Sequence, residues 1–175
     1  MIHKLHLYIG NGKGKTTAGM GMALRFLGHG MNVLVVQFLK KGNSGELIAL
    51  RHFPNAAVLT APSLPNFTFR MSPEERRQTA LEQTAFAETL PARMDTFHPD
   101  LILLDELNNA VTLEMVPEKL ALSLLDTALA CGETVSTGRS APESFLARAD
   151  YITRMDMVRH PYQTEQLSAR KGVEW

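Results

Sequence analysis

Apolar residues in this chain gather in short runs, and between most of the runs their spacing turns helical. Residues 3–9, 32–38, 56–60, 101–104, 133–136 and 151–155 read as strands. Val33-Leu34-Val35-Val36 and Leu101-Ile102-Leu103-Leu104 are apolar without alternation, the pattern of strands covered on both faces of a parallel sheet. Residues 15–27 follow a glycine-rich turn and read as a helix ending at Gly28. A second helix starts at Ser72-Pro73-Glu74-Glu75, where Ser caps, Pro takes the first helical position and Glu75 completes a capping box. Its marks Phe86, Leu90, Met94 and Phe97 share one face, and Pro91 is expected to kink or split it. A third begins near Pro117, carries Leu120, Leu124 and Ala128, and stops at Gly132. The sequence shows no internal repeat, low-complexity tract or linker. The pattern predicts one α/β domain over residues 1–175, a mostly parallel sheet flanked by helices.

The longest apolar stretches are four or five residues, whereas a membrane-spanning helix needs roughly 20. The polar Met1-Ile2-His3-Lys4-Leu5-His6-Leu7 start does not read as a signal peptide. The expected location is therefore cytoplasmic, with no membrane partner. The 45% hydrophobic and 21% charged residues exclude a disordered chain. A single cysteine, Cys131, excludes a disulfide framework or a multi-thiolate metal site.

Charge changes the picture more. Lys+Arg 18 balance Asp+Glu 18, which argues against a nucleic-acid partner. The balance is uneven along the chain. Residues 1–70 hold eight Lys/Arg and one acid, Glu46, and residues 71–175 hold ten against 17. The first part, at +7, suggests an anionic ligand.

The candidate site for that anion is Gly10-Asn11-Gly12-Lys13-Gly14-Lys15-Thr16-Thr17, which follows a strand and opens a helix. That is the context of a phosphate-binding P-loop. Glycines let backbone N–H groups turn inward, and the helix N-terminus adds its positive dipole end. Lys15 brings a mobile charge to phosphates, and the Thr16 hydroxyl can ligate Mg²⁺. The loop departs from G-x-x-x-x-G-K-[ST], since Ile9 holds the first glycine position. An acidic partner is available where the apolar strand 101–104 ends in Asp105-Glu106, two carboxylates able to hold a metal directly or through water. These parts indicate a nucleoside triphosphate and leave hydrolase, kinase, motor and transferase chemistry open.

Wider matches narrow the choice. The loop continues as Ala18-Gly19-Met20-Gly21-Met22-Ala23-Leu24-Arg25, followed by Gly28-His29-Gly30 and Val35-Val36-Gln37-Phe38-Leu39-Lys40. Later come Leu104-Asp105-Glu106-Leu107, Thr137-Gly138-Arg139-Ser140-Ala141-Pro142, Ala149-Asp150, His160-Pro161 and Ala169-Arg170-Lys171-Gly172. In this order the set resembles the P-loop family of corrinoid adenosyltransferases, over nearly the whole chain. The family carries Thr where this chain has Ile9, and commonly Glu where it has Arg154.

The resemblance implies a P-loop NTPase-like fold and an unusual use of ATP. The reduced corrin cobalt, Co(I), attacks the ribose 5′ carbon and the whole triphosphate leaves. Gly10, Asn11, Gly12, Lys13, Gly14, Lys15, Thr16 and Thr17 would surround ATP, with Arg25 reaching the nucleotide. Mg²⁺ or Mn²⁺ would be shared by Thr16, Asp105 and Glu106, and Lys15, Thr16 and Glu106 would form the catalytic set. Phe67 and Phe69, in a loop over residues 62–70, would fill the lower face of the Co(II) corrin. No protein nucleophile is needed, in keeping with an inert Cys131 and a structural His29. The family also implies a flavodoxin-like or reduced-flavin electron donor and a homodimer. Two alternatives stay open: a P-loop ATPase without corrin binding, and a nucleotide- or corrinoid-binding module without turnover.

Overall fold

Continuous apolar strands need cover on two sides, and here both sides are covered. The computed structural model describes residues 2–40, 42–66 and 68–173. The strands are β1 (Leu5–Ile9), β2 (Val33–Gln37), β3 (Ala56–Thr60), β4 (Leu101–Asp105), β5 (Glu133–Thr137) and β6 (Tyr151–Arg154). They form one sheet in the order β3-β2-β4-β5-β1-β6, parallel at every pairing. The main helices are α1 (Lys15–Gly28), α3 (Pro73–Phe97) and α5 (Glu118–Cys131). Short ones are α2 (Gly45–Leu50), α4 (Leu107–Thr112), α6 (Glu143–Arg148) and α7 (Pro161–Glu165), with a 3₁₀ turn at Thr68–Arg70.

The period-2 pleat divides β2 and β4 between two cores. Val33, Val35, Leu101 and Leu103 pack with Met20, Ala23 and Leu27 of α1 and Leu47 and Leu50 of α2. Leu34, Val36, Ile102 and Leu104 face the other way, onto Leu90 and Met94 of α3 and Leu124, Leu125 and Ala128 of α5. Gly19 brings α1 down onto β4, because a Cβ there would stand 2.8 Å from a Leu103 methyl carbon. The outer strand β6 is exposed along its length.

The predicted strands all form, with ends shifted by a residue or two. The capping box at Ser72 also forms: the Ser72 hydroxyl accepts the Glu75 N–H at 3.2 Å, and the Glu75 carboxylate accepts the Ser72 N–H at 2.7 Å. Pro91 does not split α3, contrary to the expectation above. Its ring lies on the exposed face, while Ala87, Leu90 and Met94 are fully buried. A mid-helix proline costs about 3 kcal/mol, and burying Leu90 and Met94 stabilises by about 1.5–3 kcal/mol each. The four short helices have no sequence forecast, because five or six residues span too few turns to display a period.

Candidate functional site

The P-loop takes its shape from glycines pressed against the neighbouring strand. Gly10 (φ +110°) and Gly14 (φ +111°) turn left-handed at its two ends. A Cβ on Gly10 would stand 2.2 Å from the Met155 carbonyl oxygen. The Gly10 N–H donates to Arg139 O at 2.9 Å, the Gly12 N–H to Met155 O at 2.8 Å, and Asn11 Oδ1 accepts the Met157 N–H at 3.1 Å. The exit of β6 thus straps the first half of the loop. Beyond it Lys15 opens α1, its ammonium donating to Gly12 O at 2.7 Å. Burial lowers the Lys15 pKa from its ordinary value, against the opposing pull of Glu106.

Asp105 ends β4 beneath this loop and is fully buried. Its Oδ1 accepts the hydroxyls of Thr16 (2.8 Å) and Thr137 (2.7 Å). Its Oδ2 accepts Gln37 Nε2 (2.9 Å) and Lys40 Nζ (2.8 Å). Burial raises its pKa, but Lys40 and the hydrogen bonds from Thr137 and Gln37 outweigh that and hold it below the ordinary carboxylate value. Burial likewise opposes the Lys40 charge, and the attraction of Asp105 and Glu106 leaves its pKa raised.

Two left-handed residues create this meeting. Leu39 (φ +57°) turns the chain after β2 so that Lys40 folds back, and Glu106 (φ +64°) turns it after β4. β2 and β4 are sheet neighbours with Gln37 opposite Asp105, so both turns open at one place. Left-handed backbone costs a non-glycine residue of order 1–2 kcal/mol. Hydrogen bonds hold both residues. The Glu106 N–H donates to Thr137 Oγ1 at 3.0 Å, its carboxylate accepts Asn109 Nδ2, and the Leu39 N–H donates to Gln83 Oε1 at 3.4 Å.

Above these groups lies a cleft of about 1110 Å³ at the C-terminal edge of the sheet. Parallel α/β sheets bind ligands at this edge. Asn11, Gly12, Lys13, Gly14, Lys15, Thr16, Thr17, Glu106 and Phe69 line it, as the sequence predicts for a shared site. Gly10 and Asp105 lie beneath, buried. Phe69 is 78% exposed, so it does not fill the core, and its ring carries the Arg70 guanidinium at 5.5 Å. Phe67 lies outside the described residues. Arg25 is not brought to the cleft lining: it is exposed in the last turn of α1, where its charge acts on Tyr8. Cys131 is half-buried, away from the cleft.

Gln37, Asn109 and Arg139 also line the cleft without a role predicted from sequence, and Lys40 joins them as a basic residue of the +7 half expected near the triphosphate. Val-Val-Gln-Phe-Leu-Lys and Thr-Gly-Arg held the signal for three of them. Gly138 is required in the second motif because a Cβ there would stand 2.6 Å from Asn108 Cβ. The Arg139 N–H then donates to Asn109 Oδ1 at 2.8 Å. Ile9 and Arg154, which both depart from the family pattern, are register partners across β1 and β6.

The oxygen set of Thr16, Asp105 and Glu106 fits a hard dication completed by phosphate and water. One cation, the Lys40 ammonium, already sits among these three groups. No group of three or more His, Cys, Asp or Glu among the described residues is placed to hold a metal ion.

The sequence model of the ATP:corrinoid adenosyltransferase family BtuR/CobO/CobP matches residues 3–175. The chain belongs to this family. It is 34% identical over 174 residues to a corrinoid adenosyltransferase of Pseudomonas aeruginosa, covering 98% of this chain and 83% of the relative. A corrinoid adenosyltransferase of Sinorhizobium sp is 31% identical over 170 residues, 95% of this chain and 77% of the relative. The corrinoid adenosyltransferase CobA of Salmonella typhimurium is 30% identical over 171 residues, 97% and 84% of the two chains. Family membership makes this chain an enzyme, a corrinoid adenosyltransferase with ATP and a corrinoid as substrates. No helix among the described residues is long and apolar enough to cross a membrane.

Proposed function

We propose that this enzyme transfers the 5′-deoxyadenosyl group of ATP to the Co(I) of a corrinoid and releases triphosphate. The Co(I) electron pair forms the Co–C5′ bond. The C5′–O bond breaks, and its electron pair departs on the triphosphate as cobalt becomes Co(III). The observation that carries this reading is the P-loop cleft, where Lys13, Lys15, Lys40 and Arg139 gather in front of Thr16. Charge develops on the leaving triphosphate, and cations fixed beforehand around it lower the barrier. Lys15 and the N-terminus of α1 bind the phosphates. Thr16, Asp105 and Glu106 would hold Mg²⁺ or Mn²⁺, which when bound withdraws charge from the phosphates. Co(I) is its own nucleophile, so no side chain of this cleft has to act as one.

Phe67 and Phe69 are proposed to close the lower face of the corrin, keeping water and base off cobalt so that Co(II) is easier to reduce. The exposure of Phe69 at the cleft supports this. A flavodoxin-like or reduced-flavin donor, a homodimer, a cytoplasmic location and a single domain over 1–175 complete the proposal. The test is chemically reduced cobalamin with ATP. A light-sensitive Co–C bond formed with one triphosphate per turnover is expected. Release of inorganic phosphate without corrin would replace this reading with a P-loop ATPase.

A further inference from the structure

One ammonium group sits among the three oxygen groups assigned above to a dication. Lys40 Nζ reaches Asp105 Oδ2 at 2.8 Å, Thr16 Oγ1 at 3.1 Å and Glu106 Oε1 at 3.2 Å. An ammonium has three donors and no acceptor; here two of them make hydrogen bonds, and the charge pairs with Glu106 as well. Asp105 is full: Thr16 and Thr137 take one oxygen, Gln37 and Lys40 the other. A carboxylate offers about four lone-pair sites, so a metal enters here only as one donor leaves. Thr16, Gln37 and Thr137 sit in α1, β2 and β5, whereas Lys40 comes from the turn at left-handed Leu39 on a flexible four-carbon stem. Lys40 is the donor free to move.

We propose that Lys40 is an internal counter-cation: it holds the dication position until metal and polyphosphate arrive together, then transfers to the phosphates. The proposal rests on the reading that Thr16, Asp105 and Glu106 hold the metal. Two carboxylates and one ammonium leave the cluster at −1, and a dication in its place brings it to zero. A dication arriving alone would push the ammonium off Asp105 and Glu106 and leave it beside a like charge with no anionic partner. A triphosphate on the P-loop removes that conflict, because its oxygens offer Lys40 a new partner within the same cleft. Lys40 is thus a positioning residue that couples metal entry to nucleotide entry.

The direct test is Mn²⁺ binding to nucleotide-free protein, followed by electron paramagnetic resonance. Lys40→Met keeps most of the stem and removes the charge. It should bind Mn²⁺ at least tenfold more tightly than the native protein, and the gain should vanish in Lys40→Met with Asp105→Asn. Equal Mn²⁺ affinity in native protein and Lys40→Met, or a gain that survives Asp105→Asn, overturns the proposal. If loss of Lys40 prevents folding, ¹⁵N spectra of the lysine ammonium groups in native protein decide, with Lys40→Arg identifying the signal. Mg²⁺ alone should leave the Lys40 signal in place, and Mg²⁺ with inorganic triphosphate should shift it. Displacement by Mg²⁺ alone, or no shift with both, overturns it. Neither measurement reads adenosyl transfer, so a failure here leaves the proposed reaction standing and the reverse also holds.

Discussion

Thr16 Oγ1 donates a hydrogen bond to Asp105 Oδ1 across 2.8 Å, joining the first turn of α1 to the buried end of β4. The two residues are 89 positions apart. Their contact fixes the P-loop helix against the acidic strand end and brings the hydroxyl within reach of Lys40.

Thr16→Val keeps the side-chain shape and removes that hydroxyl. Asp105 retains Thr137, Gln37 and Lys40, so stability should fall by only about 1–2 kcal/mol. Adenosyl transfer should fall by about 10²-fold or more, the scale seen when one preorganised polar contact to developing charge is lost. Denaturant melts and initial rates separate the two. A rate within threefold of native would remove Thr16 from the catalytic set.

Lys15→Ala deletes an ammonium whose hydrogen bond within the chain is to the Gly12 carbonyl. Stability should move by about 0.5–1 kcal/mol, whereas transfer should drop by about 10²–10³-fold through loss of charge on the leaving group. The check is a single-turnover rate at saturating ATP and reduced corrinoid. A normal single-turnover rate would show that the departing triphosphate does not depend on Lys15.

Phe69→Ala removes a ring that is 78% exposed, so the melting transition should stay within about 0.5 kcal/mol of native. The rate starting from Co(II) corrin should fall several times more than the rate starting from chemically reduced Co(I). Equal losses in the two assays would contradict a role at the lower corrin face.

Cys131 offers a pH test away from the site. Burial, and after it the negative charge of Asp95, raises its pKa above the ordinary thiol value. The reactive thiolate therefore appears at higher pH than in a free thiol. Alkylation by iodoacetamide at pH 8 should be slower than that of glutathione and should keep rising beyond the pH where glutathione levels off. A profile matching glutathione would show that the surroundings do not hold the proton.

Local chemistry was legible without the fold. The apolar runs announced the strands, Ser72 and Glu75 the start of α3, and the glycines with Lys15 and Thr16 the phosphate loop. Asp105-Glu106 at the end of an apolar run marked the acidic edge. Each of these signals spans a few adjacent residues, where propensity, capping and turn geometry act directly. The +7 and −7 halves of the chain hinted at an anion and its counter-cation but not at their meeting point.

Tertiary structure decided what meets what. Lys40 and Asp105 are 65 positions apart, and they touch because β2 and β4 are sheet neighbours and each ends in a left-handed turn. The same sheet order sets Thr137 of β5 on Asp105, and the exit of β6 straps the P-loop. Arg25 stands on the loop's own helix yet is not part of the cleft lining. Pro91 stays inside a continuous α3 because buried neighbours outweigh its local cost. Local pattern determined which pieces this chain makes and what chemistry each carries. Strand order, a property of the whole sheet and of no single segment, determined which charges had to share one site.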